Sequence, residues 1–466
     1  METKDEKWIC EASETEKLYE IAHKKGTFLM AYQLSLSTIQ PLQTKHVETA
    51  LLHLQRKCPA LRICFGQRGG VTWLRFMDHE DIDFKVVKDV GPEGVRDRLH
   101  VHQYNSDEGP LWCARLLIDE TADSLALDKG FPYTYQLVIG THHSINDGLS
   151  MMKVFGSLIG ILNDVIDNKP ICDEEQIGYF VSETETEKLV SVKMTALRED
   201  PSLMQELISR GEERGIGMPL LLKVEPPPKG EDKCCNLTHV FDIDTTKKFV
   251  SKCKAEGVAV HSAFSALANA SIVTFLVENK NIQNSYKMCN GHVINLRRYW
   301  SKDSSEAMGC HAIAPLNIWT NVPRDLNGKF WDFARTLHKD LHHHLNTESI
   351  LFREACIKLC SKEEQSFDDI FSPANPMQVD CGFSNLGDVT KLLSCDGPHV
   401  KPYLLKRHSS LHRTEIKNFA HFFHTFRGRL ILNLLYNTKY ITEAVAQKHC
   451  DHISNTTEKV INGTLC

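Results

Sequence analysis

A short polar run between two apolar runs contains the residues most capable of chemistry in this chain. Residues 142–148 read HHSINDG, so two adjacent histidines are followed by an aspartate and a glycine. The run before them, 133–141, has the aromatic and β-branched content of a buried strand. The run after them, 149–166, has the spacing of apolar residues that predicts one buried helix face. The polar group therefore lies where a rigid strand end holds side chains beside a polar helix N-terminus.

The two histidines are predicted to face different surroundings. Neighbouring side chains of a strand point to opposite faces, so His142 and His143 do not easily serve one site. This argues against a metal centre of two histidines and one carboxylate, which could draw only one histidine from the pair. No helical His-x-x-x-His pair adjoins the motif, so we predict no metal here. A neutral imidazole, with an unperturbed pKa of about 6.5, can instead take a proton from an alcohol or an amine.

Composition narrows the class of protein. The chain has 466 residues, enough for two domains, and its 42% hydrophobic and 24% charged residues are ordinary for a globular protein. A net charge of −6 leaves no basic excess for a phosphate backbone, so we expect no nucleic-acid partner. The first residues lack the apolar core of a signal peptide, and we see no apolar run long enough to span a bilayer. We therefore interpret the 16 scattered cysteines as reduced thiols and expect a cytoplasmic monomer without a transmembrane segment.

The HHxxxDG pattern resembles the signature of the condensation-domain-like acyltransferases, which share the chloramphenicol acetyltransferase fold. That group includes the plant BAHD acyltransferases, alcohol O-acetyltransferases and peptide-synthetase condensation domains. The turn PALR at 59–62 and the run GPLW at 109–112 also match family segments, although only HHxxxDG is highly specific. The resemblance covers nearly the whole chain. It implies an α/β fold of two chloramphenicol acetyltransferase-like domains, with mixed sheets and helices, around a central cleft or tunnel.

The composition changes between two similar halves of the chain. Acidic residues between 174 and 187 lack a consistent apolar face, and the run EPPPKG at 225–230 predicts a stiff, non-helical connector. We therefore predict an N-terminal domain at 1–185 with the histidine motif, a crossover at 186–235 and a C-terminal domain at 236–466.

The resemblance assigns roles to the motif residues. It implies that His143 is the general base and that the deprotonated acceptor attacks a thioester carbonyl directly, without an acyl-enzyme. A satisfied buried histidine is the alternative for His143. His142 is interpreted as structural, packed on the opposite side. Gly148 is expected to leave room where substrate or helix approaches closely.

An ion pair is expected for Asp147. In the relatives this aspartate pairs with a distant arginine, and the segment NLR at 295–297 matches theirs, so Arg297 is the expected partner and Arg298 the reserve. A buried carboxylate needs such a partner. In the alternative, Asp147 orients His143 as in a catalytic triad.

A second block, SNLG at 384–387, resembles one in the alcohol acetyltransferases, at the position where BAHD enzymes have DFGWG. Here residues 380–383 read DCGF, which keeps the Asp and Gly but not the Trp and so points away from the plant branch. Ser384 and Asn385 are candidate contacts to substrate or to the oxyanion of a tetrahedral intermediate. A tight structural turn explains the block equally well.

The resemblance implies transfer of an acetyl or other short acyl group from acyl-coenzyme A to a hydroxyl acceptor. The partners are then a small alcohol and acyl-CoA as co-substrate, with no tightly bound cofactor. An amine acceptor, a carrier-protein-linked donor and a non-catalytic relative that binds acyl ligands remain alternatives. No coenzyme A fingerprint is present, so we name no donor-binding residues.

Overall fold

The computed structural model describes residues 7–119, 130–212, 233–312, 316–360, 379–393, 396–409 and 418–465. Its helices are α1 (Glu14–Lys24), α2 (Thr44–Lys57), α3 (Pro92–Leu99), α4 (Gly148–Ile166), α5 (Thr184–Glu199), α6 (Pro201–Glu212), α7 (Ile243–Ala255), α8 (Val260–Glu278), α9 (Phe330–Asn346), α10 (Ser349–Cys360) and α11 (Glu443–Asn462). Two short 3₁₀ helices span Pro59–Arg62 and Leu296–Tyr299.

Sixteen strands alternate with these helices in the described ranges. They are β1 (Trp8–Glu11), β2 (Met30–Thr38), β3 (Ile63–Arg68), β4 (Val71–Phe76), β5 (Asp83–Val87), β6 (Trp112–Asp119), β7 (Tyr133–Thr141), β8 (Tyr179–Phe180), β9 (Cys234–Val240), β10 (Ser285–His292), β11 (Ala307–Met308), β12 (Leu316–Pro323), β13 (Cys381–Asp388), β14 (Val400–Ser409), β15 (Phe419–Phe426) and β16 (Arg429–Asn437).

The chain forms two compact units, and neither is one continuous stretch. The first unit contains Met1–Glu187, Leu296–Ala312 and Asp388–His412. The second contains Lys188–Asn295, Ile313–Gly387 and Arg413–Cys466.

The first unit is built on a five-stranded sheet in the order β14-β2-β7-β6-β5. Its strand pairs are antiparallel except for β5 and β6, which run parallel. β2 is buried along its whole length and β7 from its second residue onward, as expected of central strands covered on both faces. β7 lies at the centre of the sheet, so the residues that follow it start from a rigid base.

Helix α4 packs against α2 and β14 within this unit. Its apolar residues include Met152, Phe155, Ile159 and Leu162, all fully or almost fully buried, as the spacing predicts. Gly156 allows α4 to approach the backbone of Leu392 closely, because a Cβ at this position would collide with the Leu392 carbonyl oxygen. A three-stranded sheet, β1-β4-β3, and the parallel pair β8-β11 complete the unit.

The second unit has a six-stranded sheet in the order β12-β10-β13-β15-β16-β9. β10 and β13 are parallel, whereas the β10–β12, β15–β16 and β16–β9 pairs are antiparallel. Helix α8 is buried over most of its length and packs against α9 and α11. Its buried alanines, Ala263, Ala266 and Ala268, allow this close packing.

The predicted mixed α/β class and most predicted elements are present. The strand predicted at 133–141 is β7, and the antiparallel pair predicted at 419–426 and 429–436 is β15 and β16. The closing helix begins after Thr442, whose hydroxyl accepts from the backbone N–H of Val445 at 3.3 Å as an N-cap.

The domain division differs from the predicted one. The predicted crossover, 186–235, contains most of α5 and all of α6, so over its first part it is helical. Its predicted Pro-rich connector lies outside the described residues. The segments Leu296–Ala312 and Asp388–His412 belong to the first unit, although the prediction assigned them to the C-terminal domain at 236–466. Sequence composition describes each stretch of the chain by itself. It does not show that a segment far along the sequence packs in the first unit.

Two helices qualify as membrane spans by length and composition, although no such run was recognised in the sequence. They are α4 and α8, and most of each is buried inside the protein, as in the core helices of an α/β unit. All fourteen cysteines within the described ranges are free thiols.

Candidate active site

The predicted motif forms the connection between β7 and α4. β7 ends at Thr141, and Asp147 is the N-cap of α4. The carboxylate Oδ1 of Asp147 accepts from the backbone N–H of Ser150 at 3.0 Å, which satisfies an N–H group that lacks a partner at the helix start. Gly148 is the first residue of the helix and is half-buried. Its expected role in close approach stays a prediction.

His143 lies just beyond β7 and is half-buried. Its ring stacks on the ring of Tyr19 from α1, with centroids 4.6 Å apart and planes 10° apart. Its Nδ1 lies 3.3 Å from Sγ of Cys310. Burial lowers the pKa of His143, although Asp147 and the backbone of Asn146 act to raise it. The imidazole is therefore neutral near neutral pH, the state in which it can accept a proton.

His142 has different surroundings, as the alternation along a strand predicts. Its Nδ1 lies 2.7 Å from the hydroxyl of Ser144, and its Nε2 lies 3.2 Å from Oε2 of Glu20. This order resembles a Ser-His-acid triad, but His142 is fully buried and Ser144 is only 1% exposed. Burial of both side chains favours a structural group, and the structural role of His142 stays a prediction.

The Glu20 carboxylate is charged in this network. Burial alone would raise its pKa, but His142, Lys24 and the hydroxyl of Ser106 stabilise the carboxylate and lower the pKa to about 2. Burial lowers the pKa of His142, so its imidazole stays neutral. The positive partner of Glu20 is then Lys24, 2.8 Å away.

Arg297 and Asp147 form the predicted ion pair. Nη1 of Arg297 donates to Oδ2 of Asp147 at 2.6 Å, and both side chains are nearly completely buried. The same oxygen accepts from the backbone N–H of His311 at 3.0 Å. Burial alone would raise the pKa of Asp147, but Arg297 and His311 outweigh it and hold the pKa below its usual value. Arg298 is exposed and lies over the ring of Tyr299, so the reserve assignment is not needed.

The second guanidinium nitrogen of Arg297 extends the network. Nη2 donates to the hydroxyl of Ser150 and to the carbonyl oxygen of Gly309, each at 3.1 Å. The hydroxyl of Ser150 also lies 3.0 Å from the Gly309 oxygen and 3.2 Å from its N–H. These bonds join the start of α4 to the segment Leu296–Ala312 inside the first unit.

Sequence reasoning missed several of these residues. Tyr19 looked like an ordinary apolar position of an amphipathic helix, and Ser150 like a polar position near a helix start. Residues 309–311 read GCH, which places a thiol beside an imidazole, but no spacing relates them to the HHxxxDG motif. Only the chain path brings them to it.

The second block lies on the six-stranded sheet of the second unit. Ser384 and Asn385 belong to β13, and Oδ1 of Asn385 accepts from the N–H of Gly387 at 2.8 Å. Gly387 has φ of +72° near the end of β13, a backbone conformation that favours glycine. The oxyanion role of Ser384 and the substrate contact of Asn385 stay predictions. Asp380 holds β13 to β10, because its Oδ2 accepts from the N–H of Cys289 at 2.8 Å.

A possible metal site among the described residues lies outside the motif. Ligand atoms of Asp83, His102 and Cys113 lie within 4.8 Å of one another. However, Nη2 of Arg115 lies 2.8 Å from Oδ2 of Asp83, and its Nη1 donates to the Asp83 carbonyl oxygen at 2.7 Å. The guanidinium already supplies the positive charge that a cation would bring, so we assign no metal to this cluster.

Comparison with known proteins identifies the fold. No protein-family model matches the sequence, and no curated protein matches it. Among solved structures, the trichothecene 15-O-acetyltransferase TRI3 from Fusarium sporotrichioides is 14% identical over 97% of both chains, with a TM-score of 0.67. The condensation domain of the monacolin K polyketide synthase MokA is 11% identical over 98% of both chains, with a TM-score of 0.66. The epimerization domain of the tyrocidine synthetase TycB3 is 12% identical over 99% of this chain and 98% of that one, with a TM-score of 0.68.

The chain therefore has the condensation-domain-like α/β fold that the HHxxxDG resemblance predicts. At such low identities the likeness establishes the fold. The predicted relation to the plant BAHD branch and the predicted central cleft stay predictions.

Proposed function

We propose that this protein is an acyltransferase in which His143 acts as general base. The observation that carries the proposal is the state of His143, which is a half-buried, neutral imidazole held at the end of a central strand by contacts to Tyr19 and Cys310. The condensation-domain-like fold supports it, because an acetyltransferase and condensation domains share that fold.

The proposed reaction moves an acetyl or other short acyl group from acyl-CoA to a hydroxyl acceptor. Nε2 of His143 takes the hydroxyl proton as the acceptor oxygen attacks the thioester carbonyl carbon. The tetrahedral intermediate then collapses, the carbon–sulfur bond breaks, and the imidazolium returns the proton to the departing thiolate. No acyl-enzyme is formed, and acyl-CoA is a co-substrate rather than a bound cofactor.

A test compares His143→Ala with the wild-type protein, using acetyl-CoA and a mixture of small alcohols and amines. We expect turnover to fall about a hundredfold or more, since general-base catalysis typically supplies at least that factor. His79→Ala is the matched control, because His79 is exposed on the same unit. Near-normal turnover by a folded His143→Ala protein would contradict the assignment. Product masses, rather than thiol release, should be followed, because the protein has 16 cysteines.

The same assay separates the alternatives. Solved condensation domains with this fold favour testing a carrier-protein-linked donor beside acyl-CoA. Turnover only with the carrier-linked thioester would replace the proposed donor, and amide products would replace the hydroxyl acceptor. Binding of acyl ligands without turnover of any donor would support a non-catalytic relative. We propose a cytoplasmic monomer, a location in keeping with the free thiols of the described cysteines.

A further inference from the structure

Two side chains of the first unit contact the ring of His143. The sulfur of Cys310 lies 3.3 Å from Nδ1 of His143, and the Tyr19 hydroxyl lowers the pKa of the Cys310 thiol by donating to the sulfur. The Tyr19 ring lies flat against the imidazole. Cys310 is 3% exposed and Tyr19 is 8% exposed, so both hold the imidazole from the protein side.

A thiol beside a histidine could act as a nucleophile, but the charge state of Cys310 argues against it. Burial, together with the negative charges of Asp147 and Glu183, raises the pKa of the Cys310 thiol well above its usual value. The thiolate is the nucleophilic form, and reactive cysteines need surroundings that stabilise it. Cys310 is therefore a neutral hydrogen-bonding group.

The direction of the hydrogen bonds follows from what each group can donate. A neutral imidazole carries one N–H, so one nitrogen donates and the other accepts. The backbone groups of His143 and Asn146 raise the pKa of the ring, which means that they act on it as acceptors. If Nδ1 carries the proton, Sγ of Cys310 accepts the hydrogen bond from it. The Tyr19 hydroxyl lowers the pKa of the Cys310 thiol, so it donates to the same sulfur. In the reverse arrangement the thiol donates to Nδ1, the ring proton lies on Nε2, and Nε2 can no longer accept a proton.

We propose that Cys310 is a positioning residue for His143. Its sulfur accepts from Nδ1–H and from the Tyr19 hydroxyl, and the ring is thereby held in the tautomer whose Nε2 has a free lone pair. The proposal deepens the proposed function and rests on it, because Nε2 acts as a general base only if the protein is an acyltransferase. It assigns to a Cys and a Tyr the orienting task that an aspartate has in a Ser-His-Asp triad.

The tautomer can be measured without any substrate. Long-range ¹H–¹⁵N spectra of ¹⁵N-histidine-labelled protein distinguish the two nitrogens, and the signals absent from His143→Ala identify the residue. We expect the Nδ1–H tautomer in the wild-type protein, a mixture of tautomers in Cys310→Ala, and the wild-type state in Cys310→Ser, whose oxygen can also accept. Cys58→Ala is the matched control, since Cys58 is a fully buried thiol of the same unit whose sulfur accepts from the backbone N–H groups of Ala60 and Leu61 rather than from an imidazole.

Kinetics supply the second readout. We expect Cys310→Ala to lose about tenfold in kcat, a part of what a general base supplies, with KM for the acceptor unchanged. Cys310→Ser should recover most of the loss, and Tyr19→Phe should fall between the two. A wild-type spectrum showing Nε2–H, or a Cys310→Ala spectrum identical to wild type, overturns the proposal whether or not the protein proves to be an acyltransferase. An acyl adduct on Cys310 in intact-protein mass spectra would make it a nucleophile and also overturn the proposal.

Discussion

Arg297 and Asp147 lie 150 positions apart in the sequence, yet Nη1 of one is 2.6 Å from Oδ2 of the other. Both side chains are buried, with 3% and 2% of their surface exposed. Asp147 also caps α4, so the pair fixes the turn between His143 and α4 and joins it to the segment Leu296–Ala312. A buried pair of this kind is strongly coupled, because neither charge has water to replace its partner.

Removing either charge should therefore destabilise the protein. We expect Asp147→Asn and Arg297→Met each to lower the free energy of unfolding by about 3–5 kcal/mol, since each strands a buried charge. The double variant should lose much less than the sum of the two. Denaturant unfolding of the four proteins gives the coupling directly. Arg298→Met is the control, because its exposed side chain has no part in the network.

The same variants decide between a structural and a triad role for Asp147. If the pair is structural, turnover should fall together with stability, because the His143 turn distorts. If Asp147 orients His143, Asp147→Asn should lose turnover while Tm stays constant. Additive stability losses in the double variant would show that the two charges are not coupled.

The pH dependence of turnover should reflect the buried surroundings of His143. Burial lowers the pKa of this imidazole below 6.5, so it stays unprotonated to lower pH than a free histidine. The base form is active, and kcat/KM should therefore fall only below pH of about 6.5. A pH–rate profile of the wild-type protein measures this fall in kcat/KM at acidic pH. A fall that begins above neutral pH would point to a different base.

Direct attack requires both substrates on the protein at once. Initial rates measured at several concentrations of donor and acceptor should then give intersecting lines in double-reciprocal plots. Parallel lines, together with an acylated protein isolated from donor alone, would indicate a covalent intermediate. His143→Ala serves as the control for non-enzymatic acylation of the many thiols.

Gly309 should tolerate no side chain. Its φ is +132°, and a Cβ would collide with the carbonyl oxygen of Val181 and lie 2.8 Å from Nε2 of His311. We expect Gly309→Ala to cost more than about 1 kcal/mol and to displace the oxygen that Arg297 contacts. Gly26→Ala is the matched control, because its φ of +73° is also positive but no atom lies within 4 Å. Equal losses in thermal or denaturant unfolding would show that the close contacts do not matter.

Acid should destabilise the second unit through its buried imidazoles. Nε2 of His261 lies 2.8 Å from Nδ1 of His292, and Nε2 of His421 lies 2.8 Å from Nε2 of His449. Burial lowers the pKa of His261 and of His421 to about 4, and burial with neighbouring histidines holds the pKa values of His292 and His449 well below their usual value. The unfolded chain, with histidine pKa values of about 6.5, takes up protons first. The stability that these neutral side chains contribute is therefore complete above pH of about 6.5 and is lost as the pH falls toward about 4.

Denaturant unfolding at several pH values measures this loss. Each such histidine adds up to about 1.4 kcal/mol per pH unit to the slope of stability against pH. A His421→Asn, His449→Asn double variant should show a shallower slope even if it is less stable at neutral pH. An unchanged slope would mean that these two side chains are not the groups that titrate.

The local features of the active-site region were predictable because they depend on neighbours in the sequence. The aromatic and β-branched content of 133–141 and the three- and four-residue spacing after Gly148 predict β7 and α4 without reference to the rest of the chain. The separation of His142 from His143 follows from the geometry of a strand. The pairing of Asp147 followed from the need of a buried carboxylate for a cation, once the resemblance supplied Arg297.

The identity of the groups that hold His143 was decided by tertiary structure alone. Tyr19 comes from a helix more than a hundred residues earlier in the sequence, and Cys310 from a segment well over a hundred residues later. Neither lies at a spacing that periodicity can relate to the motif. The sequence also did not predict that Leu296–Ala312 packs in the first unit, because this depends on which buried surfaces fit together over the whole chain. Sequence periodicity specifies which face of an element is buried, and only the packed fold determines which distant residue meets it there.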